Sequence, residues 1–302
     1  MLTSKQLEDR MKGIGGSDVA AIFGLSPYKT AFDLYLEKIT DSIKVTDEYE
    51  LNSQTMWGTL LEPVIRDFFE RSEKKKVETP TDTIFSERYP WMLANIDGWI
   101  EDEKAVLEIK TAAHNYKDWG VENTDNIPTA YLLQCAHYAI VTNASLVYIY
   151  ASINGNWPKV YIYKRNEELE ENLIRMESKF WHQHVLKKCP PPPVEFSDFN
   201  HIYLSTGEKC LTADDNLKEI IHNLHDVKSS IKEMRGREEK LKMKLGHRMK
   251  ENTILLNEDG EIQATWKLTK TNRFSIDRFK KEEPELYKEY LRETTYRRLI
   301  IK

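Results

Sequence analysis

Four consecutive prolines, Pro190–Pro193, constrain this chain more than any other feature. Each proline fixes its own φ and lacks an N–H, so the run can neither continue a helix nor pair as an inner strand, and it reads as a stiff polyproline II connector. The 302 residues then divide into a first domain over residues 1–194, a linker over 195–210 and a C-terminal part over 211–302. The first part is long enough to bury its own core. With 40% hydrophobic and 31% charged residues, the composition is that of a soluble globular protein, neither fibrous nor disordered. No apolar stretch reaches the roughly 18 residues of a membrane span, and the N-terminus lacks a signal-peptide apolar segment. The expectation is a cytoplasmic protein with no membrane association. Cys135, Cys189 and Cys210 are odd in number and lack CxxC or CxxH spacing, so they read as free thiols rather than a disulfide or zinc framework.

The net charge of −5 argues, taken whole, against a nucleic-acid partner. The total hides a division. Residues 211–302 hold 21 Lys and Arg against 17 Asp and Glu, whereas residues 1–210 hold 23 against 32. The acidic part is either a solvated surface or includes carboxylates that bind metal ions.

Before the prolines the pattern mixes helices with strands. Ser17-Asp18 offers N-cap chemistry for residues 19–23, Thr30 for a helix over 31–38, and apolar residues at helical spacing predict a helix over 56–70. Strands are expected over 84–86, 92–100 and 105–111, a helix over 129–141, a hairpin of 145–153 with 159–164 about Asn154-Gly-Asn156, and a helix from 167 to about 185. Helices flanking a mixed sheet give an α/β or α+β layered core. Beyond the linker, Leu217, Ile220, Leu224, Val227, Ile231, Met234, Leu241 and Leu245 recur at steps of three and four, broken at Glu238, as the seam of a long helix that can pack as a coiled coil or hairpin arm. Its stretch 228–250 carries nine Lys and Arg against three Glu, either a solvated face or a surface for DNA phosphates or an acidic partner. The tail reads as a ββαβ module, with a helix from 275 to about 291 and a last strand over 296–301.

The chemistry centres on Ile96-Asp97-Gly98 followed by Glu108-Ile109-Lys110. In a strand Glu108 and Lys110 project to one side. By itself the pattern also fits an edge strand with a surface Glu–Lys pair. However, Gly98 permits a bulge that aims Asp97, and Glu62 lies on an apolar helix inside Trp57-Gly-Thr-Leu-Leu-Glu-Pro63. Three carboxylates near one lysine suit Mg²⁺ or Mn²⁺ and phosphodiester hydrolysis. His114, His137, His182 and His184 form no HExxH or triad arrangement and read as structural or surface residues. Trp119 reads as core, with DNA contact as the alternative.

Asp97 with Glu108-Ile109-Lys110 resembles the PD-(D/E)xK nuclease motif. The run Gly13-Ile-Gly-Gly-Ser-Asp-Val-Ala-Ala-Ile-Phe-Gly-Leu-Ser-Pro-Tyr-Lys-Thr30 resembles the opening of YqaJ-type viral recombinases, relatives of phage lambda exonuclease. Glu62 matches that family's helix-borne carboxylate, and Gln134 with Tyr138 its Q-x-x-x-Y helix. The resemblance covers about residues 8–190. It implies a restriction-endonuclease-like core with a mixed central sheet flanked by helices, extended here by the long helix and small module. It implies two Mg²⁺ ions, replaceable by Mn²⁺, held by Glu62, Asp97, Glu108 and the Ile109 carbonyl. Lys110 and Gln134 would position the attacking water, and Arg10 with Ser17 would hold a 5′-phosphate; on the residues alone, Ser17 could equally be a cap and Arg10 a surface charge. The implied activity is 5′→3′ digestion of one strand from double-stranded DNA ends, by a ring-shaped trimer, leaving 3′ overhangs for a RecT-type single-strand annealing protein. That setting is a phage or prophage protein in the bacterial host cytoplasm. The rival expectations are a structure-specific or restriction-like endonuclease and a non-catalytic recombination scaffold. For 211–302 the expectation is oligomer or annealing-partner contact, with DNA contact as the alternative.

Overall fold

Strand-forming runs between 84 and 164 build the layer that positions everything else. The computed structural model describes residues 3–40, 53–112, 118–203, 209–291 and 296–301 and separates into two units, Met1–Ile202 and Tyr203–Lys302. The first unit runs α1 (Ser4–Arg10), β1 (Ile14–Gly15), α2 (Gly16–Ile22), α3 (Ala31–Ile39), α4 (Ser53–Glu73), β2 (Ile84–Phe85), β3 (Met92–Ala94), β4 (Gly98–Ile100), β5 (Ala105–Ala112), α5 (Thr129–Thr142), β6 (Leu146–Ile153), β7 (Lys159–Lys164), α6 (Glu167–Lys179) and α7 (Phe199–Ile202). Helix α6 continues as a π-helical turn over Phe180–Val185.

The main sheet has the order β4-β5-β6-β7, with β5 parallel to β6 and the outer pairs antiparallel. It is the expected mixed sheet. Along β5 the side chains alternate. Leu107 and Ile109 join Ile65 and Phe69 of α4 in one core, while Val106 joins residues of α2 and α5 in the other. Glu108 and Lys110 therefore share the α5 face.

Several boundaries differ from expectation for identifiable reasons. The strand expected over 92–100 is two strands in two sheets, because β3 pairs with β1 and β2 while β4 pairs with β5. At the break, Asn95 Oδ1 accepts from Thr83 Oγ1 at 3.0 Å and its carbonyl accepts from the Tyr138 hydroxyl at 3.1 Å, so side chains replace the ladder. Ser17 is not an N-cap: Gly15 occupies that place, and Asp18 at the third helical position accepts its N–H at 3.2 Å. Thr30 caps α3 as expected, with Asp33 completing the reciprocal pair. The prolines do not close the first unit. Residues 196–202 belong to it as a 3-10 turn and α7, with the His201 ring 6.1 Å from that of Phe32 in α3, and buried Asp198 caps the turn by accepting from the Val194 and Glu195 N–H groups at 2.7 and 3.0 Å.

The second unit holds α8 (Asp215–Met249), an antiparallel pair β8 (Ile254–Leu256) and β9 (Ile262–Thr265), α9 (Ile276–Glu282) and α10 (Pro284–Glu289). The single helix expected over 275–291 is split because Pro284 cannot donate to the preceding turn and starts a new helix instead. Residues 296–301 are not a strand among the described residues.

Candidate active site

The break before β4 places Asp97 beside the middle of β5. Its Oδ2 accepts the Ile109 N–H at 2.7 Å, which ties the carboxylate to the strand that carries Glu108 and Lys110. Gly98 opposes Leu107, and a Cβ there would lie 2.3 Å from Val77 Cγ1, so only glycine lets this segment approach so closely.

Helix α5 supplies the other wall. Gln134 Nε2 donates to Glu108 Oε1 at 2.9 Å, and its Oε1 accepts from Lys110 Nζ at 3.1 Å. Lys110 Nζ also lies 2.6 Å from Glu108 Oε1 and 4.9 Å from the centre of the Tyr131 ring. Tyr138, one turn beyond Gln134, accepts from Gln134 Nε2 at 2.9 Å and donates to the Asn95 carbonyl. A buried glutamate, a lysine and a glutamine thus fix one another, and the helix that fixes them also fixes the backbone two residues before Asp97.

The electrostatics show a site short of positive charge. Burial, the neighbouring Glu108 carboxylate and then Glu62 push the Asp97 carboxyl well above its ordinary range, against the opposing pull of Lys110 and the Ile109 N–H. Burial works against the Lys110 charge, but Glu108 and Asp97 outweigh it and raise its pKa. Glu108 Oε2 is buried with no hydrogen-bond partner. An orphaned carboxylate oxygen beside a second carboxylate whose charge is disfavoured by burial and by its acidic neighbours is a donor set that a divalent cation fits.

Glu62, on α4, contributes to the Asp97 field but is engaged by Arg66 one turn further along, at 2.5 Å. Among the described residues no three acidic, His or Cys side chains already stand in closed metal-ligand geometry. Asp97 and Glu108 are brought together, and Glu62 lies nearby in another ion pair. Arg66 was missed in the sequence although its i, i+4 spacing from Glu62 is a readable signal.

Arg10 and Ser17 do meet: Arg10 Nη2 donates to Ser17 Oγ at 3.2 Å. Beneath them lies fully buried Asp18, which accepts from Arg10 at 3.3 Å, Lys29 at 2.9 Å and Lys38 at 2.8 Å. Burial raises the Asp18 pKa, but the three cations prevail and hold it well below the usual carboxylate range. Lys29 and Lys38 lie 11 and 20 residues from Asp18, and no local pattern announces them. Gly16 packs directly on α5, where an added Cβ would lie 2.5 Å from the Tyr138 ring and 3.1 Å from Gln134 Cγ. The Arg10–Ser17 surface and the carboxylate cluster are thereby joined through one helix contact. Trp119 is buried against Tyr131 and Tyr161, a core residue and not a DNA platform. His137 is buried between Glu177 and the Leu93 carbonyl, and His114 lies outside the described residues.

The family model described as the YqaJ-like viral recombinase domain matches residues 5–145. The uncharacterized protein YqaJ of Bacillus subtilis (strain 168) is 31% identical over 314 aligned residues, spanning 100% of this chain and 95% of that one. Among solved structures, an alkaline exonuclease, LHK-Exo from Laribacter hongkongensis, aligns with a TM-score of 0.51 at 16% identity over 62% of this chain and 94% of its own. A structure of LHK-Exo in complex with dAMP aligns equally well. The likeness to LHK-Exo carries the fold alone.

Proposed function

The chain belongs to the YqaJ-like viral recombinase family, and on that premise we propose that it is a divalent-metal-dependent exonuclease that digests one strand of double-stranded DNA from its 5′ end. The observation that carries the reading is the Asp97–Glu108–Lys110–Gln134 cluster with its orphaned Glu108 Oε2. The fold it shares with an alkaline exonuclease supports it.

Asp97, Glu108 and the Ile109 carbonyl would hold Mg²⁺ or Mn²⁺, joined by Glu62 once it exchanges Arg66 for an ion. Bound there, two ions would polarise the phosphoryl oxygen and supply hydroxide near neutral pH. The protein's own part is positional. Lys110 keeps its charge because Glu108 and Asp97 favour the ammonium, and Gln134 fixes its position, so it can orient a water and the phosphate it attacks. Gln134 cannot turn away without breaking its bonds to Glu108 and Tyr138. Arg10 and Ser17 would take the terminal phosphate, with Asp18 accepting from the Arg10 guanidinium and Lys38 donating to the Arg10 carbonyl to hold it in place; Arg is suited to forked phosphate contacts. A ring trimer acting with a single-strand annealing protein is the assembly this reading implies.

The test is timed digestion of linear and covalently closed duplex, with 5′-phosphate or 5′-hydroxyl ends, in Mg²⁺ or EDTA. Release of nucleotides from linear duplex only, in Mg²⁺ only and faster from 5′-phosphate ends, is expected. Cutting of closed circles would make the enzyme an endonuclease. No release with any divalent metal would leave a recombination scaffold.

A further inference from the structure

The nuclease site makes no use of α8. This helix runs 35 uninterrupted residues, Asp215–Met249, which at 1.5 Å per residue is about 52 Å. Its last turn packs on its own hairpin, where Met249 is buried and Gly246 faces Trp266. The rest of its apolar seam is uncovered. Ile220, Leu224, Val227, Ile231, Met234 and Leu241 are each 36–57% exposed. Steps of three and four sustained over this length are the spacing of helices that pair knobs into holes.

The residues beside the seam decide what can cover it. With Leu224 and Ile231 at a and Val227 and Met234 at d, the flanking e positions from 228 to 242 are Lys228, Arg235 and Lys242, and the g positions include Arg237 and Lys244. All five are basic and all are exposed. A second copy laid parallel would set Arg237 against Lys242, and one laid antiparallel would set e against e and g against g, again like against like. Duplex DNA matches the charge but would leave the apolar stripe in water, and Glu233, Glu238 and Glu239 interrupt the basic surface.

We propose that α8 is the docking surface for an acidic amphipathic helix of a partner protein, one that presents an apolar heptad stripe flanked by Glu or Asp. The stripe would bury the seam while the acidic flanks pair with the five basic residues. Glu238 occupies an a position and is ion-paired with Lys242, so a basic or polar partner residue opposite it releases Lys242 to the acidic flank and fixes the register.

The experiment titrates the full chain with two synthetic peptides of about 28 residues, four heptads with Leu at a and d, one with Glu and the other with Lys at every e and g. Binding is followed by fluorescence anisotropy and calorimetry. The acidic peptide is expected to bind about tenfold or more tighter than the basic one, to weaken with salt, and to be lost in the exposed double variant Ile231→Glu/Met234→Glu with the circular dichroism unchanged. Equal binding of the two peptides, or binding of neither, overturns the proposal. So does a chain that self-associates in sedimentation equilibrium and is dissociated by the same double variant, which makes a second copy the occupant. A duplex affinity lost by Lys228→Glu/Arg235→Glu/Lys242→Glu but kept by Ile231→Glu/Met234→Glu also overturns it and makes DNA the occupant.

Discussion

In the first unit buried charges occur in bonded groups: Asp18 with Arg10, Lys29 and Lys38, Glu108 with Lys110 and Gln134, and His137 with Glu177. In the second unit α8 buries almost nothing and leaves both its apolar seam and its basic rows in water. A charge inside a protein costs several kcal/mol unless partners surround it, so the first unit gives up core volume to hold a polar cluster. That is a pattern of chemistry performed in a fixed place. An uncovered stripe with one sign of charge beside it is a pattern of recognition completed by another molecule.

The comparison can be broken by variants that treat the two regions alike. The largest effect expected is on turnover. Lys110→Ala should lower nucleotide release by about 10²–10⁴-fold while retaining DNA-end binding in a filter or gel assay, whereas Ile231→Glu should leave release unchanged. A Lys110→Ala enzyme that digests at the parent rate would remove the catalytic reading. Next in size is the buried hub. Asp18→Asn should cost about 3–5 kcal/mol in denaturant unfolding, since three cations lose their counter-charge. With its pKa far below the ordinary value, Asp18 contributes fully above about pH 4 and loses its contribution only as pH falls through the depressed value. The stability gap between parent and variant should therefore narrow in acid.

Core and seam can be compared by the same substitution. Leu107→Ala, at a position with no exposure, should cost about 2–5 kcal/mol, while Leu224→Ala on the α8 seam should change stability by only about 0.5 kcal/mol. Equal losses would mean that the seam is covered within the chain. The smallest effect concerns Asp97. Burial, Glu108 and Glu62 push its pKa well above the ordinary carboxylate range, so Asp97→Asn relieves repulsion in the metal-free protein. A Tm rise of about 2–4 °C without metal, and loss of the further rise that Mg²⁺ gives the parent, would be read by differential scanning fluorimetry.

Much of this division was legible before the fold was known. The alternation of Val106, Leu107 and Ile109 places Glu108 and Lys110 on one face because strand geometry leaves no choice, and the seam of α8 follows from spacing alone. Asp97 stands out by the glycine that follows it and by its spacing to Glu108, whereas Gln134, Arg10 and Ser17 emerge only through family motifs. What stayed hidden depends on approach between distant segments. Lys29 and Lys38 converge on Asp18 only after α2 and α3 pack, and the split of 92–100 into two sheets depends on Thr83 and Tyr138 taking up the Asn95 groups. Pro284, by contrast, was in plain view within an expected helix, and local chemistry sufficed to predict the break that was missed.

The contact of Gly16 with Tyr138 and Gln134 has a consequence for the product. If Arg10 and Ser17 grip the end of the strand and Lys110 faces the bond that breaks, the span between them is set by a helix pressed onto α5 with no room for even a methyl group. On the proposed reading of the site, that span would work as a ruler. The number of nucleotides removed in each cycle would then be a matter of packing, and Gly16→Ala, by forcing the two ends apart, should alter the length of the released fragment as well as the speed of its release.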